Sequence, residues 1–366
     1  MQKVIIFFIG TEAELIKMFP VIMKCEERKL PYHIIASGQN DVAESRIFKD
    51  GNCGKVELEL SNPNSIEKST RGLLKWFVTT GLSAKKKIQS KFKSIDWKNS
   101  CMVVHGDTVS TVMGAWLGKT LGMTVCHVEA GLRSHNYFNP FTEEIDRMIT
   151  SKLARVHFAP GNNAFKNLSK CKGEIVNTKN NTLLDSLNYS KKLPIASDVS
   201  RFLDKKYFLF VMHRQENLAN TNFVIEVVEA IDKISKGIPC VVLLHEITKN
   251  TFEKLGLMDQ LAQNSNIIFQ SRVNYFDFMK VLENSEFVIT DGGSNQEELH
   301  YMGKPCLILR KNTERFEGLG GNAEMYNGAV SHLYKFVDDY QSKIGSAKEE
   351  KDSPSVMIVD TLEKYI

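Results

Sequence analysis

Asp107, Glu129 and Glu143 are the residues of this sequence best placed to move a proton. Asp107 follows the apolar run 102–104, within His105-Gly106-Asp107-Thr108. Glu129 follows the run 124–128, within His127-Val128-Glu129-Ala130-Gly131-Leu132-Arg133. Between the two runs Val109, Val112, Trp116, Leu117 and Leu121 recur at helical spacing. The order is strand, loop, helix, strand, loop, a βαβ unit of a parallel sheet. Ligands of such sheets lie beyond the carboxyl ends of the strands. Asp107 and Glu129 fall there, and Glu143-Glu144 follow on the next segment. Three acids meeting in one crevice suit proton transfer or the binding of a polyhydroxyl ligand. The alternative is that each merely caps a helix or turn.

Phosphate chemistry has its own candidates. Asp291-Gly292-Gly293-Ser294 follows the apolar run 287–290 and opens a helical segment. Two glycines allow close backbone approach, and the helix offers free N–H groups and the positive end of its dipole. Ser294 adds a hydroxyl, and Glu298, one turn on, can accept bonds from ribose hydroxyls. An ordinary glycine-rich βα turn would look the same. His213 ends the run 208–212 and can act as a general acid or, as imidazolium, hold a diphosphate. Near the start, the run 4–9 ends at Gly10-Thr11. Thr11 reads as an N-cap with Glu14 as its capping-box partner, and Lys17 lies a turn and a half into the helix. No His, Cys, Asp or Glu set has the spacing of metal ligands, so no metal and no other cofactor is expected.

The elements that must position these groups alternate β and α along the whole chain. Strands are predicted at 4–9, 33–35, 102–104, 124–128 and 156–159, with residues 66–88 mostly helical. The polar, turn-rich stretch 177–181 and a helix beginning at 183–187 lead out of this half. The second half repeats the pattern, with strands at 208–212, 240–244, 267–269, 287–290 and 306–309. At 366 residues, two domains are the default. The junction is expected between about 175 and 195, giving domains 1–180 and 181–354. The amphipathic tail, 355–366, is expected to return to the first.

A net charge of +4 gives no reason to expect nucleic acid. The densest basic run, Lys85-Lys86-Lys87 through Lys91 and Lys93, reads as a solvated helix face, with weak contact to a membrane surface or acidic partner as the alternative. No apolar run approaches about 18 residues, so no membrane insertion is expected. Seven scattered cysteines show no CxxC, and four of them (101, 126, 240 and 306) sit in or beside strand-like runs. That is the usage of a reducing compartment, and with no leader apparent a cytoplasmic protein is expected.

Five segments carry a resemblance: GTEAELIKMFP (10–20), VHGDT (104–108), HVEAGLRS with FNPFTEEIDR (127–147), MHRQEN (212–217) and TDGGSNQEELHYMGKPCLILRKNTER (290–315). In these the chain resembles the UDP-N-acetylglucosamine 2-epimerase family, mainly its non-hydrolysing bacterial branch, over most of its length. The resemblance implies an α/β, GT-B-like fold. Two Rossmann-type domains would face a central cleft with their parallel sheets, and the nucleotide sugar would sit between them. It implies an isomerase that removes the C2 proton while expelling UDP, then re-adds both with the opposite configuration at C2. Surface polysaccharide precursors would be the product's destination. Carried over by motif, Asp107, Glu129 and Glu143 take the acid–base roles, His213 the diphosphate-side catalytic role, and Lys17 that of the motif lysine. Gly292, Gly293 and Ser294 align with the diphosphate turn, Glu298 with the ribose-binding glutamate, and Phe278 with the uracil contact. Gln39, Arg71 and His245 partly match a regulatory second UDP-sugar site, with Val42 where a further glutamine is expected. A UDP-sugar substrate and a homodimer are the partners implied.

Three places depart from the family pattern. Glu12-Ala13 stand where the family has Arg-Pro, replacing a cation near the diphosphate with an anion. Asp291-Gly292-Gly293-Ser294 shifts the hydroxyl of the family's Asp-Ser-Gly-Gly, and Phe316 replaces the proline of its Thr-Glu-Arg-Pro. Arg133, Arg310 and Arg315 are the cations able to compensate for Glu12. The activity expected is epimerisation at C2 of a UDP-2-acetamido sugar, UDP-N-acetylglucosamine to UDP-N-acetylmannosamine or a related pair. A GT-B glycosyltransferase or nucleotide-sugar hydrolase is the alternative, and a catalytically silent nucleotide-sugar-binding regulator is the third reading.

Overall fold

The continuous apolar run near the N-terminus forms a strand, Ile5–Ile9 (β1), with all five residues buried. Each such side chain contributes roughly 1.5–3 kcal/mol by leaving water. Runs of this kind occur where helices cover both faces of a parallel sheet, and that is the arrangement in the computed structural model. It describes residues 1–51, 53–65, 70–133, 141–195, 197–313, 315–348 and 353–366. The strands β2 (Tyr32–Ala36), β3 (Leu58–Glu59), β4 (Cys101–His105), β5 (Thr124–Val128), β6 (Val156–Ala159) and β7 (Glu174–Asn177) join β1 in one sheet. Its order is β3-β2-β1-β4-β5-β6-β7, and every pairing is parallel. A second parallel sheet has the order β10-β9-β8-β11-β12-β13. Its strands are β8 (Phe208–Val211), β9 (Cys240–Leu244), β10 (Ile267–Ser271), β11 (Val288–Thr290), β12 (Cys306–Ile308) and β13 (Ala323–Met325). Strand order reverses between β1 and β4 in one sheet and between β8 and β11 in the other. These are the switch points of the doubly wound Rossmann arrangement. Two such sheets in one chain give the α/β, GT-B-like fold.

Three strands lie outside the sequence expectation: β3, β7 and β13. Each is an outermost strand of its sheet. An edge strand has one neighbour and one open side, so it need not carry a continuous apolar run, although the remaining edge strand, β10, does. In β7, Glu174–Asn177, no residue is fully buried. The expected helix over 66–88 is found as Thr70–Lys91. Residues 66–69 lie outside the described residues, as do 134–140 and 314 of the motif segments.

Contacts divide the chain into two units, Met1–Ser186 with Glu350–Ile366, and Leu187–Glu349. The division falls inside one helix, Leu183–Ser190. In the first unit the helix Pro354–Leu362 starts with proline at its first turn, capped by Ser353, and packs on the helix Glu12–Glu27. Arg28 closes that contact with Asp360 at 2.7 Å and Glu363 at 3.2 Å. All seven cysteines are free, and those in the strands are buried. Among the described residues no helix is long and apolar enough to cross a membrane.

Candidate active site

At the switch point of the first unit, one carboxylate ties together the loops that leave β1 and β4. Glu14, in the first turn of Glu12–Glu27, accepts the Gly10 N–H at 2.6 Å and the Thr108 hydroxyl at 2.5 Å. Thr11 caps the same helix by accepting the Glu14 N–H at 3.2 Å. Burial pushes the Glu14 carboxyl up to about 7, against the Thr108, Gly10 and Thr11 donors that favour its anion. Thr108 in turn caps the helix Val109–Leu121 in a reciprocal box with Thr111. Gly106 needs its glycine for a φ of 70°, since no atom would obstruct a Cβ there. Its carbonyl accepts Nε2–H of His127 at 2.7 Å. Burial pushes His127 down to about 3, so the ring is neutral and this bond fixes its tautomer.

Asp107 emerges between these ties. Arg147, on the helix Phe141–Leu153, forms an ion pair with it and reaches Glu144 at 3.4 Å. Glu144 lies 3.7 Å from Arg133. Burial raises the Asp107 carboxyl above its usual range although Arg147 opposes the shift. Glu129 directly follows β5 with a φ of 62°, a left-handed conformation that costs a residue with a side chain roughly 1–2 kcal/mol. Its buried carboxylate is held by Lys17 and by the amide of Asn181, and His105 Nε2 lies 3.7 Å away. Glu143 is partly exposed and accepts the Thr142 hydroxyl at 2.9 Å. Asp146, on the same helix, is pushed up to about 7 by burial and then by Asp107 and Glu143. Two carboxylates paired with different cations, Glu129 buried and Asp107 partly exposed, beside a third acid that titrates near neutrality, are equipped to give and take protons.

The second unit repeats the device. Asp291, fully buried after β11, accepts the N–H of His213 and of Arg214 at 3.0 Å and the side-chain amide of Asn217 at 3.0 Å. It thereby closes the loop after β8 onto its own at the switch point. Its carboxylate also lies 3.3 Å from His213 Nδ1. The His213 ring stacks on His245 at 4.7 Å. Burial, and then the neighbouring His213, pushes His245 down to about 4, so it stacks as a neutral ring. Gly292 precedes the helix Gly293–Met302 and has no room for a side chain: a Cβ would meet Asn295 Oδ1 at 2.4 Å and His213 Cε1 at 3.2 Å. Gly293 opens that helix, and Ser294 is exposed at its N-terminal end. Glu298 is buried one turn in, accepting from Asn295 Nδ2 at 3.1 Å. Phe278 is half-buried on the helix Tyr275–Asn284.

Arg315 is ion-paired with the buried Glu297, and Arg133 with the buried Glu144 and, at 3.4 Å, the Ser151 hydroxyl. Arg310 is half-buried just past β12. Glu12 accepts the Ser45 hydroxyl at 3.4 Å and heads its own helix, where the dipole favours an acid. Of the regulatory candidates, Gln39 accepts the N–H and hydroxyl of Ser110 at 3.1 and 2.6 Å, and Arg71 is exposed on Thr70–Lys91. Val42 is fully buried, and His245 lies against His213.

Arg147, Asn181 and the bridging roles of Glu14 and Asp291 escaped the sequence reading. Arg147 had a signal, three residues beyond Glu144 on one helix face. Asn181 had none, standing 52 residues from the Glu129 it contacts. Among the described residues no cluster of His, Cys, Asp or Glu is arranged to hold a metal ion.

The family model described as UDP-N-acetylglucosamine 2-epimerase matches residues 23–350. UDP-N-acetylglucosamine 2-epimerase of Methanocaldococcus jannaschii is 30% identical over 362 residues, covering 93% of this chain and 94% of that one. The solved structure of the UDP-GlcNAc 2-epimerase from that organism matches all of both chains with a TM-score of 0.81 at 28% identity. That of the Neisseria meningitidis UDP-GlcNAc 2-epimerase bound to UDP-GlcNAc matches 99% of this chain and 100% of the other, with a TM-score of 0.80 at 26% identity.

Proposed function

Because the chain belongs to the UDP-N-acetylglucosamine 2-epimerase family, we propose that it inverts C2 of a UDP-2-acetamido sugar, converting UDP-N-acetylglucosamine to UDP-N-acetylmannosamine or acting on a close relative. The observation that carries this reading is the pair of cation-bound carboxylates just beyond β4 and β5, Asp107 with Arg147 and Glu129 with Lys17. The C2 proton is barely acidic, so its removal needs a placed base and a stabilised leaving diphosphate. One carboxylate takes the C2 proton as the bond from C1 to the UDP oxygen breaks, leaving a 1,2-unsaturated sugar and UDP. A second acid returns a proton to the opposite face of C2, and the UDP oxygen re-forms its bond to C1. Asp107, Glu129 and Glu143 share these proton transfers, and Lys17 favours the ionised form of Glu129.

Residues 1–180 with the C-terminal helix serve as the acid–base half, and residues 181–354 as the nucleotide half. His213 with Gly292, Gly293 and Ser294 takes the diphosphate, Glu298 the ribose and Phe278 the uracil. Arg133, Arg310 and Arg315 are the cations assigned to offset Glu12. Gln39, Arg71 and His245 are assigned to a second UDP-sugar. The protein works as a cytoplasmic homodimer that supplies surface polysaccharide synthesis. The dimer is supported by Leu74, Val78 and Leu82, spaced four apart on Thr70–Lys91 and 64%, 50% and 78% exposed.

The test is NMR of UDP-N-acetylglucosamine incubated with the protein in deuterated water. The expected product is the C2 epimer carrying deuterium at C2. Free sugar with UDP would assign a hydrolase instead, and an unchanged substrate a binding protein. Asp107→Asn and Glu129→Gln are expected to lower turnover by about 100-fold or more with unchanged circular dichroism. Near-normal turnover in both would return these acids to structural roles.

A further inference from the structure

Glu129 sits against the preference of its own backbone. A side-chain-bearing residue at a φ of 62° persists only where its surroundings over-determine it. Here the surroundings act on the carboxylate. Lys17 and Asn181 both donate to the same oxygen, Oε2. Among the described residues, the charged or titratable groups that also face it include His105 from β4, at 3.7 Å, and, at longer range, Asp107 and Arg147.

Asn181 comes from the segment that leads into the helix Leu183–Ser190. Its amide cannot be turned round. Oδ1 accepts the Leu183 N–H at 3.1 Å and the Thr182 hydroxyl at 3.4 Å, so Nδ2 must face Glu129. The side chain therefore has two separable duties: its oxygen caps a helix, and its nitrogen grips a carboxylate.

We propose that Asn181 is a positioning residue for the proton transfer, its Nδ2–H holding Glu129 ionised and fixed in orientation together with the Lys17 ammonium. The inference rests on the acid–base role assigned to Glu129. A donor to the anionic form lowers a carboxyl's proton affinity, and a carboxylate in the same place raises it.

Asn181→Asp separates the two duties, because an aspartate oxygen can still cap Leu183 while the donor to Glu129 is lost. If Asn181 only caps the helix, the variant should be silent or slightly more stable, since an anion then heads the helix. If it positions Glu129, kcat is expected to fall by at least about 10-fold with KM changed less than about 3-fold. The acidic limb of the kcat profile should also move up by about one pH unit or more, as two adjoining carboxylates share a proton. Carbon-13 NMR of the glutamate carboxyls reads the same upward shift without substrate, with the Glu129 signal identified by its loss in E129Q. Asn181→Ser, which can cap but is too short to reach Glu129, provides a second folded variant with the same expected direction. Folded variants with an unchanged pH profile and an unchanged Glu129 titration would overturn the proposal. A wild type inactive on the UDP-sugar, with the Glu129 titration nonetheless shifted in the variants, would overturn the functional reading and leave the Asn181–Glu129 link standing.

Discussion

Glu14 keeps its proton in the folded chain up to about 7, whereas an unperturbed glutamate loses it near 4.5. Between those values the folded state binds more protons than the unfolded state, so stability falls as pH rises through the window. The loss is on the order of 3 kcal/mol in all. Glu14→Gln removes this titration and keeps an oxygen for the Gly10 N–H. Measured against wild type, the Tm of the variant is expected to gain between about pH 5 and pH 8. Parallel curves for the two proteins would show that Glu14 is already ionised in the fold at the lower pH. At this scale the sequence showed some groups and hid others. Asp107, Glu129 and His213 could be singled out because each lies within three residues of the end of an apolar run. Their partners are not, because Asn181 is 52 residues from Glu129 and Asp291 is 78 from His213. Separations set by strand order leave no periodicity to read.

Among the elements, the turn after β5 makes the sharpest demand on sequence. Gly131 has a φ of 85°, and a Cβ there would lie 2.3 Å from the carbonyl oxygen of Ala164, in the helix Asn162–Asn167. Gly106 has a φ of 70° but open space around its Cβ direction. Gly131→Ala must therefore both strain its backbone and displace a helix, while Gly106→Ala carries the strain alone. Chemical denaturation is expected to show a loss of about 1–2 kcal/mol for Gly106→Ala and about 3 kcal/mol or more for Gly131→Ala. Equal losses would sink the steric account. The interior strands were readable because burial on both faces forces unbroken apolar runs, as in β1 and β9. The edge strands β3, β7 and β13 were not, because their pairing is backbone to backbone and their side chains are free to be polar.

Across the whole molecule, the repeated alternation of β and α was legible, but not the placing of the tail's ion pairs. The exposed stripe of Leu74, Val78 and Leu82 gives the assembly a direct test. Leu82→Glu is expected to convert a sedimenting dimer into monomer at the same protein concentration, and a wild type that is monomeric throughout would refute the assignment of that face. A different consequence follows from the return of Pro354–Leu362 to the helix Glu12–Glu27. The first unit is made of the two ends of the chain, and all of Leu187–Glu349 lies between them. On a ribosome the residues of the second unit emerge before the helix that completes the first. At ~5–20 residues per second, the side of Glu12–Glu27 that receives that helix waits roughly 16–65 s for its cover. The unit that begins first is thus the one finished last, and the nascent chain carries an open apolar flank for most of its synthesis.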